Sequence, residues 1–372
     1  YGHKNAKRQI ERIIGQWVNG KNTGYCLGFE GPPGIGKTSL AKKGIANCLK
    51  DENNESRPFA FIALGGSSNA STIDGHNYTY VGSTWGKIVD ILMETKCMNP
   101  IIFIDELDKV SKSEQGKEII GVLTHLTDYT QNDCFQDKYF TGINLDLSKI
   151  LFIFSYNDVN SIDRILLDRI HRVKFDIIDV KDKVIIVQNY ILPDICEKMG
   201  MVDKILLDAE TIVYIIETYT YEPGVRKLKE ILFEIIGEIN IIALKHEKTL
   251  EFPLKIVIDD LESCYLKNHQ KILKHVIHDA PRVGLINGLW ANAASQGGIL
   301  PIQASFFPST NNFELKLTGM QGDVMKESMN VARSLAYNLM VEIDGIDISC
   351  VEFPKKAIHI HCPDGATPKD GP

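Results

Sequence analysis

One eight-residue stretch constrains the fold of this chain more than any other feature. It reads Gly31-Pro32-Pro33-Gly34-Ile35-Gly36-Lys37-Thr38. It fits the pattern G-x-x-x-x-G-K-[ST] at every fixed position, between a run typical of a buried strand (25–29) and one typical of a helix (39–49). In that setting the backbone N–H groups of the loop and the helix N-terminus converge on an anion. The stretch is therefore predicted to bind the phosphates of a nucleotide, with Lys37 at the β- and γ-phosphates and Thr38 on Mg²⁺. An ordinary turn rich in Gly and Pro is the alternative.

A second signal lies in the most apolar stretch of the chain, 101–104, which Asp105 and Glu106 follow directly. Four apolar residues before two acids place the carboxylates at the carboxyl end of a central parallel strand, beside the phosphate-binding loop. We expect Asp105 to complete the Mg²⁺ shell, directly or through water, and Glu106 to polarise the water that attacks the γ-phosphate. The alternative is a strand that simply runs into an acidic turn.

Three further polar residues stand where they could serve the same site. Asn157 follows the apolar run 150–154 and is placed to orient the attacking water, although Asn also favours turns. Arg169 precedes another strand, and in an oligomer it could reach a neighbour's γ-phosphate as an arginine finger; otherwise it is a solvated charge. Arg226 begins a helix and could lean onto the phosphates, with a surface arginine as the alternative.

The apolar pattern divides the 372 residues into three regions. Residues 1–178 alternate strands and helices, which predicts an α/β domain built on a parallel sheet. Residues 179–268 show only helical patterns and predict a separate all-α lid domain. Residues 269–372 contain short strands and one helix and predict an incomplete α+β domain. The helices predicted for the lid are 181–199, 207–219, 224–246 and 258–267.

The composition limits the binding partners and the cellular compartment that are expected for this protein. The net charge of −7 argues against nucleic acid as the main partner. The eight cysteines are scattered, with no C-x-x-C pair, so a reducing compartment is the default and no zinc cluster is expected. No apolar run approaches the roughly 20 residues that span a bilayer. Because the sequence starts at Tyr1 rather than Met and stops within a loop pattern, we expect both ends to be cut.

Taken together, these residues resemble the ATP-dependent Lon proteases, which are AAA+ ATPases with a serine protease domain on the same chain. The phosphate-binding loop resembles the Walker A loop of that family, and 101–106 with Asp108-Lys109 resembles its Walker B strand. The resemblance implies that Asn157 is the first sensor, Arg169 the arginine finger and Arg226 the second sensor.

The resemblance also implies roles that the residue pattern alone does not. Tyr80-Val81-Gly82 matches the family's pore loop, whose aromatic–aliphatic pair grips an unfolded polypeptide, and Tyr1-Gly2 is similar to the segment that passes near the adenine. The sequence also departs from the family in places. Thr84-Trp85-Gly86 stands where Met-Pro-Gly is usual, and Asp163 stands where Pro is usual.

The third region carries the most diagnostic likeness. Residues 317–328 resemble the first helix of the Lon protease domain, and His359-Ile360-His361 followed by 365–372 resembles the run that leads into the catalytic serine. In the family the nucleophilic Ser directly follows this Gly-Pro, and its partner Lys lies further along. The resemblance therefore implies that the Ser–Lys dyad lies beyond Pro372, with Asp370 only a neighbour of that site.

The expected function is that of an ATP-dependent serine protease of the Lon type, acting as a homo-hexamer on unfolded polypeptides, with ATP and Mg²⁺ as cofactors. A non-proteolytic AAA+ unfoldase or chaperone is the first alternative, and a nucleic-acid remodelling ATPase is the second. The expected location is cytoplasmic, with the mitochondrial matrix as the alternative.

Overall fold

A computed structural model of the chain describes most of its length in two compact units, 1–271 and 272–372, and each unit is treated by itself. Among the described residues, no helix is both long and apolar enough to cross a membrane. The described residues are 1–19, 26–50, 54–65, 69–110, 113–220, 222–245, 252–272, 277, 280–291, 297–311, 314–344, 356–363 and 369–371.

The first unit begins with a five-stranded parallel sheet in the order β2-β3-β4-β1-β5. This confirms the predicted α/β fold class. Strand β1, which the phosphate-binding loop follows, and strand β4, which Asn157 follows, are direct neighbours. The strands are β1 (Cys26–Glu30), β2 (Phe59–Ala63), β3 (Ile101–Asp105), β4 (Leu151–Tyr156) and β5 (His171–Lys174).

The central strands are buried on both faces because helices cover each side of the sheet. One core lies around Phe103 and Phe29, and the other around Phe152 and Phe154. The covering helices are α1 (Lys4–Asn19), α2 (37–48, with a π-helical middle at Leu40–Ile45), α3 (Ser71–Asp74), α4 (Lys87–Thr95), α5 (Glu114–Thr127) and α6 (Arg164–Leu167).

Helices dominate the rest of the first unit, around a core of their own that includes Ile212, Leu228 and Ile235. A two-stranded parallel ladder, which the helical pattern does not predict, joins β6 (Ile205–Leu206) to β7 (Leu254–Lys255). The helices are α7 (180–198, π-helical at Val187–Ile191), α8 (Ala209–Tyr219), α9 (Arg226–Lys245) and α10 (258–265). The predicted boundary between residues 178 and 179 stays a prediction.

The second unit contains a four-stranded mixed sheet in the order β10-β11-β9-β8, and a helix that contacts β10. Strands β8 and β9 pair antiparallel, and β11 ends at His361. Of the diagnostic run 365–372, residues 365–368 and 372 lie outside the described residues. The elements are β8 (Leu285–Ala291), β9 (Gly297–Pro308), β10 (Leu315–Thr318), α11 (Asp323–Asp344) and β11 (Lys356–His361).

Candidate nucleotide-binding site

The phosphate-binding loop crosses from the carboxyl end of β1 to the first turn of α2, as its sequence predicts. Its backbone N–H at Gly31 donates to the Tyr156 carbonyl of the neighbouring strand (3.3 Å). Gly36 adopts a left-handed conformation (φ 96°) immediately before the helix begins at Lys37. A side chain at that position would strain the turn, which explains the fixed Gly of the pattern.

Lys37 is the centre of the site. Its ammonium donates three hydrogen bonds, to the Gly31 carbonyl (2.6 Å), the Tyr156 carbonyl (3.0 Å) and the Asn157 Oδ1 (2.8 Å). The residue is only 8% exposed. The structure thus joins the predicted Walker lysine to the predicted first sensor by direct contact, across two adjacent strands that lie far apart in sequence.

The predicted acidic residues lie at the carboxyl end of β3. The Asp105 Oδ1 accepts from the Glu106 N–H (2.9 Å), and the Asp108 Oδ2 accepts from the N–H groups of Asn157 (3.1 Å) and Asp158 (3.2 Å). Glu106 has a left-handed backbone (φ 61°) and forms an ion pair with Lys109. The charges of Asp105 and Asp108 both act to raise the pKa of the Lys37 ammonium, so the two acids lie near the lysine.

Gly65, two residues after β2, makes room for the Glu106 side chain. A methyl group on Gly65 would lie 1.8 Å from Glu106 Oε2, so even an alanine would displace the carboxylate. Sequence reasoning assigned no role to Gly65, because this contact joins two strand ends that are distant along the chain.

The oxygen atoms at this edge fit Mg²⁺. The Asp108 Oδ1 is buried without a hydrogen-bond partner, which is the kind of orphaned acceptor that a cation or its water would satisfy. With Thr38 and Asp105 it gives a donor set of oxygen atoms alone, which suits Mg²⁺. Among the described residues no cluster of three His, Cys, Asp or Glu could hold a metal by itself.

The helical part of the first unit touches the phosphate-binding loop directly. The Val225 N–H donates to the Gly34 carbonyl (3.1 Å), and a methyl group on Gly34 would lie 3.1 Å from the Cβ of Arg226. The predicted second sensor therefore stands beside the loop. Glu222, a residue that sequence reasoning missed, accepts from the N–H groups of Lys227 (2.9 Å) and Leu228 (2.8 Å) and so caps helix α9.

The N-terminal segment also lies against the loop. The His3 ring contacts the Ile35 carbonyl (2.9 Å) through Nε2 and packs edge-on against Phe175. Tyr1 is 55% exposed, and its proposed position near an adenine stays a prediction. His3 is a further loop contact that the sequence pattern did not predict.

The predicted arginine finger makes its contacts at the C-terminal end of α5. The Arg169 Nη1 donates to the Thr124 carbonyl (2.9 Å) and forms an ion pair with Asp128 (2.9 Å). Asp163, which stands where Pro is usual in the family, caps helix α6 just before Arg169. It does so by accepting from the Ile165 N–H (2.9 Å). Arg169 is not among the residues that the structure gathers around Lys37.

The predicted pore-loop residues lie on an exposed turn. Tyr80 is 69% exposed and Val81 is fully exposed, beside Gly82 with φ 80°. Trp85, which departs from the family pattern, stacks on Phe140 (centroids 6.2 Å apart) and so anchors the base of the turn.

In the second unit, two histidines of β11 share one hydroxyl group. Thr318 Oγ1 contacts His359 Nε2 (2.9 Å) and His361 Nδ1 (2.8 Å). Asp370 accepts from the Met325 N–H (3.1 Å) and so lies at the start of α11. These contacts tie β10 to β11 and residue 370 to the start of α11.

Burial gives Lys37 a pH dependence that nucleotide binding should reveal. Desolvation lowers the pKa of its ammonium from 10.5 to about 8, although Asp105 and Asp108 act in the opposite direction. A phosphate beside the amine favours the charged form of the amine, so ATP binding should raise the pKa of Lys37. At any pH where the amine of the free protein is neutral, ATP binding should therefore take up a proton. We expect uptake of about one proton at pH 9 and about a tenth of a proton at pH 7. The affinity for ATP should fall as the pH rises above about 8.

Calorimetric titrations of ATP in buffers of different ionisation enthalpy, at both pH values, measure this uptake. Equal proton uptake at pH 7 and pH 9 would contradict the lowered pKa of Lys37.

A phosphate-binding loop with oxygen ligands at the carboxyl edge of a parallel sheet defines a P-loop nucleoside-triphosphatase. Residues 27–177 match the family described as ATPase family associated with various cellular activities (AAA). Residues 256–372 match the family described as Lon protease (S16) C-terminal proteolytic domain.

Relatives match along nearly the whole chain. It is 34% identical to a Lon protease homolog of Acanthamoeba polyphaga mimivirus, over 100% of this chain and 41% of that protein. It is 36% identical to a Lon protease of Campylobacter jejuni, over 92% of this chain and 42% of that protein. It is 33% identical to a mitochondrial Lon protease homolog of Drosophila melanogaster, over 100% of this chain and 36% of that protein.

The chain belongs to the Lon protease family. It spans about two fifths of the length of these relatives.

Proposed function

We propose that the protein carrying this chain is an ATP-dependent serine protease, and that this chain supplies its ATPase motor. The observation that carries the proposal is the contact of Lys37 with Asn157, beside the acidic end of β3. A lysine that touches both the phosphate loop and a polar residue of the next strand is placed to respond to a γ-phosphate.

The residues of the site would divide the work of ATP hydrolysis. Lys37 would exchange its protein oxygens for phosphate oxygens, and Asn157, released from the lysine, would orient the attacking water. Glu106 would act as the general base once its carboxylate leaves Lys109. Thr38 and Asp105 would hold Mg²⁺, which offsets the negative charge of the phosphates when it is bound.

Two arginines would complete the site. Arg226 stands beside Gly34 at the start of α9 and would contact the phosphates from within the same chain. The Arg169 side chain is 35% exposed, contacts the end of α5, and would reach the γ-phosphate bound by a neighbouring subunit. This arrangement makes hydrolysis depend on an assembly, and the family resemblance implies a homo-hexamer.

The exposed pair Tyr80-Val81 would contact the substrate. An aromatic and an aliphatic side chain on a solvated turn can pack against any extended polypeptide, whatever its sequence. Nucleotide-driven movement of this turn would pull unfolded protein toward the protease chamber. This step concerns the whole protein, in the cytoplasm or the mitochondrial matrix.

Tyr80→Ala should uncouple ATP hydrolysis from protein degradation. We expect ATP-dependent degradation of an unfolded protein by the full-length enzyme to fall by about tenfold or more, because the turn loses its largest contact with substrate. ATPase activity without substrate should stay near that of the unmodified protein. Tyr78→Ala, which removes a comparably exposed tyrosine outside the pair, is the matched control. Undiminished degradation by Tyr80→Ala would remove the assigned role of the turn.

A non-proteolytic unfoldase is the second candidate. The four-stranded sheet and the Thr318–histidine contacts favour a folded protease region, and the presence or absence of peptide cleavage separates the two candidates. Cleavage of a fluorogenic peptide by the full-length protein supports the protease, whereas unfolding without cleavage supports the unfoldase.

A further inference from the structure

Arg169 and the base of the exposed turn contact the same segment of the chain. We call this segment the connector (128–140); it runs from the end of α5 into the loop before β4. One end of the connector holds the Arg169 guanidinium, and the other end holds both sides of the turn 75–86. The sequence pattern singled out no residue of the connector itself.

At its first end, the connector pairs with Arg169 through Asp128. The Asp128 Oδ2 forms an ion pair with Arg169 Nη1 (2.9 Å), while its Oδ1 accepts from the N–H (3.0 Å) and the hydroxyl (2.7 Å) of Thr130. Hydrogen bonds from Thr130 and the charge of Arg169 hold the pKa of Asp128 below its ordinary value, so the carboxylate stays charged at neutral pH.

At its second end, the connector closes the turn through Asp137, which is fully buried. The Asp137 Oδ2 accepts from the Gly86 N–H (2.8 Å), and a methyl group on Gly75 would lie 2.5 Å from its Oδ1. Next to it, Lys138 donates from its N–H to the Asp74 carbonyl (2.8 Å) and pairs with the Asp74 carboxylate (2.9 Å). Asp137 and Lys138, two consecutive connector residues, therefore contact the chain on both sides of the turn.

Between its ends the connector is braced. Phe135 and Leu145 exchange two backbone hydrogen bonds (3.1 and 2.8 Å), and the Leu147 N–H donates to the Asn132 carbonyl (2.8 Å). The Asn132 N–H in turn donates to the Asp128 carbonyl (2.9 Å). A displacement at Asp128 can therefore reach Asp137 through hydrogen-bonded backbone rather than through a slack loop.

We propose that Asp128 and Asp137 are positioning residues that couple Arg169 to the turn 75–86 of the same subunit. The proposal rests on the proposed function, in which Arg169 contacts a neighbour's γ-phosphate and the turn contacts polypeptide. When Arg169 leaves Asp128 for the phosphate, the carboxylate loses its cation while Thr130 still holds it to the connector. The connector then shifts, and Asp137 carries the shift to Gly86.

Hydrogen exchange measured by mass spectrometry on the assembled full-length protein tests this coupling. In the unmodified protein, exchange in 75–86 should differ between the ADP state and a state with a slowly hydrolysed ATP analogue by about fivefold or more. In Asp128→Asn that difference should disappear, while the nucleotide-dependent change in 31–45 remains. Asp137→Asn should remove the response of 75–86 and keep the response of 124–132.

Asp133→Asn is the matched control, because it removes the same charge from an exposed position of the same connector. It should behave like the unmodified protein. An unchanged response of 75–86 in Asp128→Asn would overturn the coupling.

Arg169→Ala separates this inference from the function on which it rests. If Arg169→Ala keeps full ATPase activity, the arginine-finger role fails and the coupling loses its input. If Arg169→Ala loses activity while Asp128→Asn keeps the response of the turn, only the coupling is wrong.

Discussion

Lys37→Ala should lose ATP binding by about 100-fold, which corresponds to about 3 kcal/mol. The ammonium is buried on three oxygen atoms at the floor of the phosphate-binding loop, and alanine leaves a hole where a charge-assisted hydrogen bond to phosphate would form. The variant also leaves the Gly31 and Tyr156 carbonyls without this donor. Equilibrium binding of a fluorescent ATP analogue measures the loss.

Lys43→Ala is the control for this prediction. It removes an exposed lysine from the same helix, so it changes the net charge equally without touching the loop. Its ATP affinity should match that of the unmodified chain. Equal affinities for Lys37→Ala and Lys43→Ala would refute the assignment of the phosphate-binding loop.

Glu106→Gln should keep ATP binding and lower the rate of hydrolysis by about 100- to 10,000-fold. The amide has the shape of the carboxylate, so it still fits the space that Gly65 leaves, but it cannot accept the proton of the attacking water. It also loses the ion pair with Lys109, which is exposed and contributes little to stability.

Two measurements on the assembled protein separate binding from turnover for this variant: nucleotide affinity and the steady-state release of phosphate. Glu118→Gln, at an exposed position of α5, should hydrolyse ATP at the unmodified rate. Turnover by Glu106→Gln at that same rate would show that another group is the general base.

The phosphate-binding loop could be read from the sequence because its chemistry is local. Eight consecutive residues contain the glycines, the lysine and the hydroxyl group, and the acidic pair directly follows an apolar strand. The parallel sheet follows from strands buried on both faces, of which β3 is the clearest example. Both predictions needed only residues within one strand, loop or helix.

The contacts that support the site could not be read in this way. Asp137 touches Gly86 from 51 positions away, and nothing near either residue signals the pairing. Glu222 looks like one more acid before a helix until its two hydrogen bonds are seen. Helix α5 was not predicted either, although Ser113 caps it. The Asp137 contact depends on which distant segments the fold brings together, whereas the contacts of Glu222 and Ser113 are local and show only once the helix ends are fixed.

The backbone just before helix α9 packs directly against the backbone of the phosphate-binding loop. A methyl group on Gly224 would lie 2.3 Å from the carbonyl carbon of Gly34, so no rotamer stands between the two segments. Any rearrangement of the loop must therefore be met at once by the first turn of the helix, since no flexible side chain is there to absorb it. Helix α9 would therefore move together with the loop when a nucleotide binds. Gly224→Ala would force the loop and the helix apart even without a nucleotide.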